Sequence, residues 1–216
     1  CMMGLGAGWM KEDYTITGIT QDDALTRIER LEESITVMRG LWGAGPFSHE
    51  GRFYSVSEID AMPKPISNIP ITVGGGGPKL LAMAARKADV VGINPKIVGR
   101  SINPRSMATA AADVVDEKIG YVKAAAGDRF DQLELQLQVF ATVVTDDPMS
   151  VAEKMAPMFG LPPEVVLQAP YFQIGSVQQI TDNITMLRER WGITYIAFQQ
   201  DATAAMAPVV AALAGK

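Results

Sequence analysis

Cysteine and histidine are almost absent from this chain. Its 216 residues contain one cysteine, Cys1, and one histidine, His49. A single cysteine excludes an internal disulfide framework and any cluster of cysteine metal ligands. A single histidine argues against a histidine-built metal site. We therefore expect no bound metal, and a reducing, cytoplasmic location fits the low cysteine content.

Long apolar runs and an excess of positive charge are also missing. No stretch approaches the roughly 18–20 consecutive apolar residues that a bilayer-spanning helix needs. The formal net charge is −5, whereas a general nucleic-acid binder needs a basic face. Hydrophobic residues make up 48% and charged residues 20% of the chain, as in folded globular proteins. We expect neither a membrane nor a nucleic acid as partner.

Strand-like and helix-like segments alternate along the chain without repeats or linkers, so we predict a single domain over residues 1–216. Each strand-like segment is followed by a helical one, which predicts parallel strands with right-handed crossovers in an α/β fold. Residues 47–54 also suggest a hairpin. The predicted strands are 2–6, 71–74, 89–93, 133–144 and 193–199.

Local signals indicate where several helices begin. Thr20 is a candidate N-cap for a helix over residues 22–42. Asp147 precedes another helix, and Ser176 with Gln179 matches the capping-box pattern. Asp89 is expected to serve as a cap or to pair with Arg86 or Lys87, which precede it closely in the sequence.

Four consecutive glycines, Gly74 to Gly77, end the strand that begins at Ile71. Pro78 follows, and proline suits the first position of a helix because its missing N–H would have no partner there. Free N–H groups and the positive end of a helix dipole bind phosphates. The glycines could also serve only a tight strand-to-helix turn. We favour phosphate binding, because four glycines exceed what a turn needs.

Short motifs in a fixed order cover nearly the whole chain. Together they resemble the bacterial-luciferase-like family of flavin- and deazaflavin-dependent oxidoreductases, and most of all its branch that uses coenzyme F420. The motifs are Gly4 to Trp9, Tyr14 with Gly18, Arg27 to Trp42, Phe53-Tyr54, Pro63 to Pro65, Pro70 to Gly77, Ala84 to Asp89, Ile174 to Ser176, Arg190 to Ile196 and Pro208 to Gly215.

The resemblance implies a (β/α)₈ TIM barrel, here incomplete, with about five parallel strands. These would be the fourth to the eighth strands of the family, with the first three missing. The first residue fits that expectation, because the chain starts with Cys1 and a strand has nothing before it to pair with. We therefore expect the chain to be the C-terminal portion of a longer protein.

The resemblance also implies the site residues. The family holds its cofactor at the carboxyl ends of the strands, on the glycine turn and on the loop after the fourth strand. The loop after the fourth strand, residues 6–9, could instead be a turn that carries Trp9 as a core residue. Two polar residues at strand ends, Asn94 and Gln199, could bind a substrate or could instead cap loops. The implied cofactor residues are Gly6, Ala7, Gly8, Trp9, Gly75, Gly76 and Gly77, and the candidate substrate-binding residues are Asn94 and Gln199.

The function that the resemblance implies is hydride transfer between coenzyme F420 and an unknown small organic substrate. One alternative is an FMN-dependent monooxygenase of the same family, and another is a non-catalytic fragment or partner chain that needs an N-terminal half. In the family's sugar-phosphate dehydrogenase branch a glutamate stands where this chain has Ala7-Gly8, which argues against a sugar phosphate. The full-length protein is expected to form a homo-oligomer. No catalytic side chain is assigned.

Overall fold

The computed structural model of the protein describes residues 1–99 and 103–215. The strands are β1 (Met3–Leu5), β2 (Phe47–Glu50), β3 (Ser55–Ile59), β4 (Ile71–Gly75), β5 (Val90–Ile93), β6 (Glu134–Gln138), β7 (Ala141–Val144), β8 (Phe172–Gly175) and β9 (Ile193–Ala197). The α-helices are α1 (Lys11–Thr17), α2 (Ala24–Trp42), α3 (Pro78–Lys87), α4 (Pro104–Met107), α5 (Ala112–Ala126), α6 (Pro148–Phe159), α7 (Pro163–Gln168), α8 (Val177–Trp191) and α9 (Thr203–Leu213). Short 3₁₀ helices span Ala108–Ala110, Gly127–Gln132 and Gln200–Ala202.

Five strands form one parallel sheet in the order β1-β4-β5-β6-β9. This confirms the predicted α/β fold with five parallel strands, at positions close to those expected from the sequence. β2 and β3 form an antiparallel hairpin, so the hairpin predicted over residues 47–54 is confirmed and extends to Ile59.

The predicted strand over residues 133–144 is wrong in one respect, because it is two strands in different sheets. The Val139 N–H donates to the Ala197 carbonyl of β9 at 2.8 Å, which still belongs to the main sheet. The next residue, Phe140, donates to the Tyr171 carbonyl at 2.8 Å, and from there β7 pairs in parallel with β8. The change of partner occurs inside an apolar run without a turn residue, so periodicity does not reveal it.

The two faces of the main sheet differ in chemistry. Ile71, Val73, Leu135 and Leu137 are buried in the core formed with the helices. Because side chains alternate along a strand, the residues between them face the other way. That face, called the polar face here, carries Thr72, Gly74, Gly92 and Gln136. Asn94 comes directly after the last residue of β5.

Three helix starts follow the predicted chemistry and one is shifted. Pro78 is at the first turn of α3, and the Asp147 side chain accepts from Ser150 N–H at 3.1 Å. Ser176 and Gln179 form the predicted capping box. For α2 the N-cap is Asp23 rather than Thr20, because the Asp23 carboxylate accepts from the Leu25 and Thr26 N–H groups at 2.9 and 3.1 Å.

Asp89 has different partners from those predicted. Its carboxylate lies 2.8 Å from the Arg39 guanidinium and 3.8 Å from that of Arg129, and it also accepts from the Ile71 N–H. Arg86 instead faces Glu32 at 3.7 Å. The partners come from other helices and loops, so nearness in sequence gave the wrong pair. Among the described helices none is both long and apolar enough to cross a membrane.

Candidate cofactor site

Three neighbouring strands end at the same edge of the sheet, and a loop begins at each of these ends. β1 pairs with β4 (Leu5 opposite Val73), and β4 pairs with β5 (Gly75 opposite Ile93), all in parallel. The carboxyl ends of these strands therefore bring three segments together. They are the loop of residues 6–9, the glycine turn of residues 75–77 and the loop that starts at Asn94.

The start of α3 is the part of this edge best suited to an anion. Gly77 is the N-cap in extended conformation, and no side chain from the described ranges caps the helix. A Cβ added at Gly77 would have nothing within 4 Å, so the space in front of the helix is open. The exposed Lys79 stands in the first turn. Uncapped N–H groups, the helix dipole and a nearby ammonium all favour a phosphate here.

Packing within the protein accounts for the neighbouring glycines. A Cβ at Gly76 would lie 2.5 Å from the Asn94 carbonyl oxygen and the Lys96 nitrogen, so the two loops touch backbone to backbone. A Cβ at Gly75 would meet the Leu80 side chain at 2.6 Å. The number of glycines therefore does not by itself argue for phosphate binding. The argument depends on Gly77 and the open helix start.

The loop of residues 6–9 is held from two sides. The Arg27 side chain of α2 donates to the Ala7 carbonyl at 3.1 Å, and the Gln21 amide donates to the Trp9 carbonyl at 3.4 Å. Gly6 has open space around its Cα, whereas Gly8 has a positive φ of 68° and lies directly against the Tyr14 hydroxyl. Trp9 is 36% exposed, so it is not the core residue of the alternative interpretation.

Asn94 is the polar side chain at the centre of this edge. Its N–H donates to the Gly75 carbonyl at 2.9 Å, and its amide nitrogen lies over Gly74, 2.8 Å from where a Cβ would be. Its Oδ1 is buried and has no hydrogen-bond partner among residues 1–99 and 103–215. A buried acceptor without a donor is costly, so this atom is a candidate contact for a ligand.

Two further polar residues of the same face were not predicted from the sequence. Thr72 Oγ1 is also buried without a partner in the described part of the chain. The Gln136 Oε1 lies above Gly92, 2.7 Å from the position of an added Cβ. The alternating apolar and polar residues of β6 show that Gln136 faces away from the core, but only the strand register places it beside Gly92.

Gln199 lies apart from the other candidates. It is exposed, and its carbonyl accepts from the Ala202 N–H at 3.0 Å at the start of a 3₁₀ helix. β6 stands between β9 and β5 in the sheet, which separates those strands by about 10 Å. The structure therefore brings together all the predicted site residues except Gln199, whose role in substrate binding stays a prediction.

The candidate site contains few groups that titrate. Its glycines, Trp9, Thr72, Asn94 and Gln136 are uncharged, and Lys79 and Arg27 are cations at its edge. The described residues contain no group of three or more His, Cys, Asp or Glu side chains that could hold a metal ion. These side chains can bind and orient a polar molecule, while redox chemistry would have to come from a bound cofactor.

Solved structures define the class to which this architecture belongs. An F420-dependent secondary alcohol dehydrogenase in complex with an F420-acetone adduct matches with a TM-score of 0.68 at 17% identity, over 91% of this chain and 63% of that chain. A riboflavin lyase with modified FMN and riboflavin matches with a TM-score of 0.67 at 11% identity, over 95% of this chain and 61% of that chain. The fold is that of the TIM-barrel luciferase-like proteins.

Comparison of the amino-acid sequence with known families identifies the family of this chain. The model of the luciferase-like monooxygenase family matches residues 1–173, and the chain belongs to this family. Over 88 residues the chain is 32% identical to an F420-dependent glucose-6-phosphate dehydrogenase from Microbacterium testaceum, a match that covers 41% of this chain and 26% of that protein. The chain thus spans less than two thirds of the length of these relatives. The predicted resemblance is confirmed.

Proposed function

We propose that this chain forms the cofactor-binding part of an oxidoreductase that transfers a hydride between coenzyme F420 and a small organic substrate. The family and the F420-dependent relative support the choice of reaction. The observation that carries the proposal is the open, uncapped start of α3 at the carboxyl edge of the sheet.

Each part of the edge has a task in this proposal. The N–H groups around Gly77 and the Lys79 ammonium hold the phosphate of the cofactor tail. The loop of residues 6–9, fixed by Arg27, lines the cofactor, and Asn94 donates or accepts a hydrogen bond at the ring or the substrate. F420 bound there would supply the hydride acceptor or donor.

A single substitution, Gly77→Asp, separates phosphate binding from folding. Aspartate is a good N-cap, and the open space at Gly77 accommodates it, so the variant should be at least as stable as the wild type. Its carboxylate would occupy the helix start and repel a phosphate. We expect the affinity for F420, measured by quenching of its fluorescence, to fall at least tenfold.

Ala111→Asp is the matched control. Ala111 is the uncapped N-cap of α5, so this variant adds the same charge and the same capping group at another helix. It should leave F420 binding unchanged. Equal affinities of the wild type and Gly77→Asp would refute phosphate binding at α3, and a folded wild type that binds no F420 would refute the proposed function.

A parallel titration with FMN, which also carries a phosphate, tests the alternative that the protein is an FMN-dependent monooxygenase. If FMN binds and F420 does not, the monooxygenase alternative replaces the hydride-transfer proposal. If a folded chain binds neither, a non-catalytic part or partner chain is favoured. A homo-oligomeric full-length protein and a cytoplasmic location remain predictions.

The substrate can be tested separately. The Ala7-Gly8 pair departs from the glutamate expected in the sugar-phosphate dehydrogenase branch, so we expect no reduction of F420 with glucose 6-phosphate. Turnover of that sugar phosphate by the full-length protein would overturn this expectation while leaving the cofactor proposal intact.

A further inference from the structure

The polar face of the sheet continues beyond the candidate cofactor site onto β6 and β9. In β6, Leu135 and Leu137 lie in the core, while Glu134, Gln136 and Gln138 alternate with them and face the other way. Gln136 is half-buried and the other two polar residues are exposed, so all three can be reached from outside. None of them has a task in holding the cofactor tail at α3.

A β-bulge turns Tyr195 of β9 onto the same face. The residue before Gln136 pairs with Ile193, but Gln136 itself pairs with Tyr195, so Thr194 is an extra residue in β9. Ile193 is 1% exposed in the core, and without the extra residue Tyr195 would face the core as well. Tyr195 is instead 37% exposed, and Ile196 after it packs against the core. Bulges are common next to active sites, where they re-aim a side chain.

Gln136 connects Tyr195 with the candidate site. Its Oε1 lies above Gly92 of β5, and its partner on the other side is Tyr195. Neighbouring strands are about 4.8 Å apart, so the amide and the phenol border one space beside Gly92. Two residues closer to the carboxyl edge, Gln138 pairs with the small Ala197. Ala197 leaves the β9 side of this space open towards that edge.

The charges around this space disfavour an anion. β6 and β9 contain no lysine or arginine, and both strands are described throughout. Glu134 lies on the same face, about 7 Å from Gln136 towards the amino edge. The Gln136 amide can donate and accept hydrogen bonds, and the Tyr195 hydroxyl can donate one. An uncharged molecule that offers an oxygen atom is therefore the best match.

We infer that Gln136 and Tyr195 form the substrate subsite of the proposed reaction and bind the oxygen of an uncharged alcohol or ketone. The Tyr195 hydroxyl donates to this oxygen, and the hydroxyl of an alcohol also donates to the Gln136 amide. Alcohol and ketone interconvert by hydride transfer at carbon, with a proton exchanged with water, so both forms must fit the subsite. The choice of this pair rests on the proposed function, whereas the binding of an uncharged oxygen compound does not.

Cyclohexanol is a suitable probe for this subsite. The chain has five tyrosines, so isotope-labelled tyrosine rings give few NMR signals, and Tyr195→Phe assigns that of Tyr195. We expect cyclohexanol to shift the Tyr195 signal saturably. Tyr54 and Tyr121 are 37% and 39% exposed, like Tyr195, but they lie on the hairpin and on α5. Their signals should not move.

Two variants test the hydrogen bonds. Gln136→Leu, followed by the Tyr195 signal, and Tyr195→Phe, followed by the Gln136 amide signal, should each weaken cyclohexanol binding about fivefold, because each removes one hydrogen bond. Tyr121→Phe should leave the affinity unchanged. Cyclohexanecarboxylate should bind more weakly than cyclohexanol, because its charge faces Glu134.

Three outcomes would overturn the inference. They are an unmoved Tyr195 signal, equal shifts of Tyr54 and Tyr121, and unchanged affinity of Tyr195→Phe. Quenching of F420 fluorescence in the same samples tests the proposed function separately. A protein that binds cyclohexanol at Tyr195 but no F420 keeps the subsite and loses the reaction, while one that binds F420 and leaves Tyr195 unmoved loses only the subsite.

Discussion

Arg39 and Asp89 form a 2.8 Å ion pair that joins α2 to the residue before β5. The same carboxylate oxygen accepts the Ile71 N–H at 2.8 Å, so it also holds the start of β4. Arg129 lies 3.8 Å from the other oxygen and donates to the Ala85 carbonyl at 2.6 Å. Asp89 therefore fixes α2, two strands and the 3₁₀ helix Gly127–Gln132 at the amino edge of the sheet, opposite the candidate cofactor site.

Replacing Asp89 should destabilise the protein. We expect Asp89→Ala to lower the free energy of unfolding by about 2 kcal/mol, because hydrogen bonds to a charged group are each of this order. Urea unfolding measures the change. Arg86→Met is the comparison, since the Arg86–Glu32 pair is exposed and wider, and it should change stability by less than about 0.5 kcal/mol. Equal losses in both variants would contradict the role of Asp89.

Two adjacent glycines should respond differently to alanine. Gly76→Ala places a methyl group 2.5 Å from the backbone of Asn94 and Lys96, and relieving such overlap costs about 1–3 kcal/mol. Gly77→Ala meets open space, so its cost is only that of exchanging glycine for the poorer N-cap alanine, about 0.5–1 kcal/mol. Unfolding curves of the two variants test this order. A larger loss for Gly77→Ala would show that the turn packs differently.

Asn94→Leu should separate stability from binding. The substitution removes a buried acceptor that has no partner within the described residues, so the unfolding free energy should stay the same or rise by about 1 kcal/mol. If Asn94 contacts the cofactor or substrate, F420 affinity should fall at the same time. Unchanged affinity together with reduced stability would mean that Asn94 serves only the fold.

Lys118 should give the stability a pH dependence in the alkaline range. The side chain is 1% exposed and donates to the Thr109 carbonyl at 2.6 Å, and burial lowers its pKa from 10.5 to about 8. Between these values the unfolded chain binds more protons than the folded one, so the unfolding free energy should rise with pH. Each pKa unit corresponds to about 1.4 kcal/mol, which gives a rise of about 3 kcal/mol.

Lys118→Met lacks this titration and is the control. The difference in unfolding free energy between wild type and variant should change in favour of the wild type from pH 8 to pH 10.5. Parallel pH curves would show that Lys118 is not desolvated in the folded state.

The sequence predicted the features that depend on local chemistry. The strand-to-helix turn at Pro78 and the capping box at Ser176 were confirmed, because both arise within a few residues. Features set by distant partners were not predictable. The switch of Phe140 to a second sheet and the Arg39–Asp89 pair depend on residues 31 and 50 positions away. Nor could α1 be predicted, since it has no buried residue and hence no apolar stripe.

The candidate site also has one part that the sequence predicted and another part that only the structure shows. The motifs identified the glycine turn and the loop of residues 6–9, but composition gave no means of telling which glycine faces open space. Only the structure shows that Gly76 touches the Asn94 loop while Gly77 does not. Thr72 and Gln136 join the site through strand register, which no short motif encodes.

Gly74 and Gly92 stand opposite each other on adjacent strands, and Gln136 lies over the second of them. An added methyl at Gly92 would meet both Gln136 and the Gly74 backbone. The two glycines thus leave the space above their strands to the amide ends of two longer side chains, Asn94 over Gly74 and Gln136 over Gly92. Shortening Gln136 would open the space above Gly92 to a larger group, without altering the helix start where the phosphate is proposed to bind.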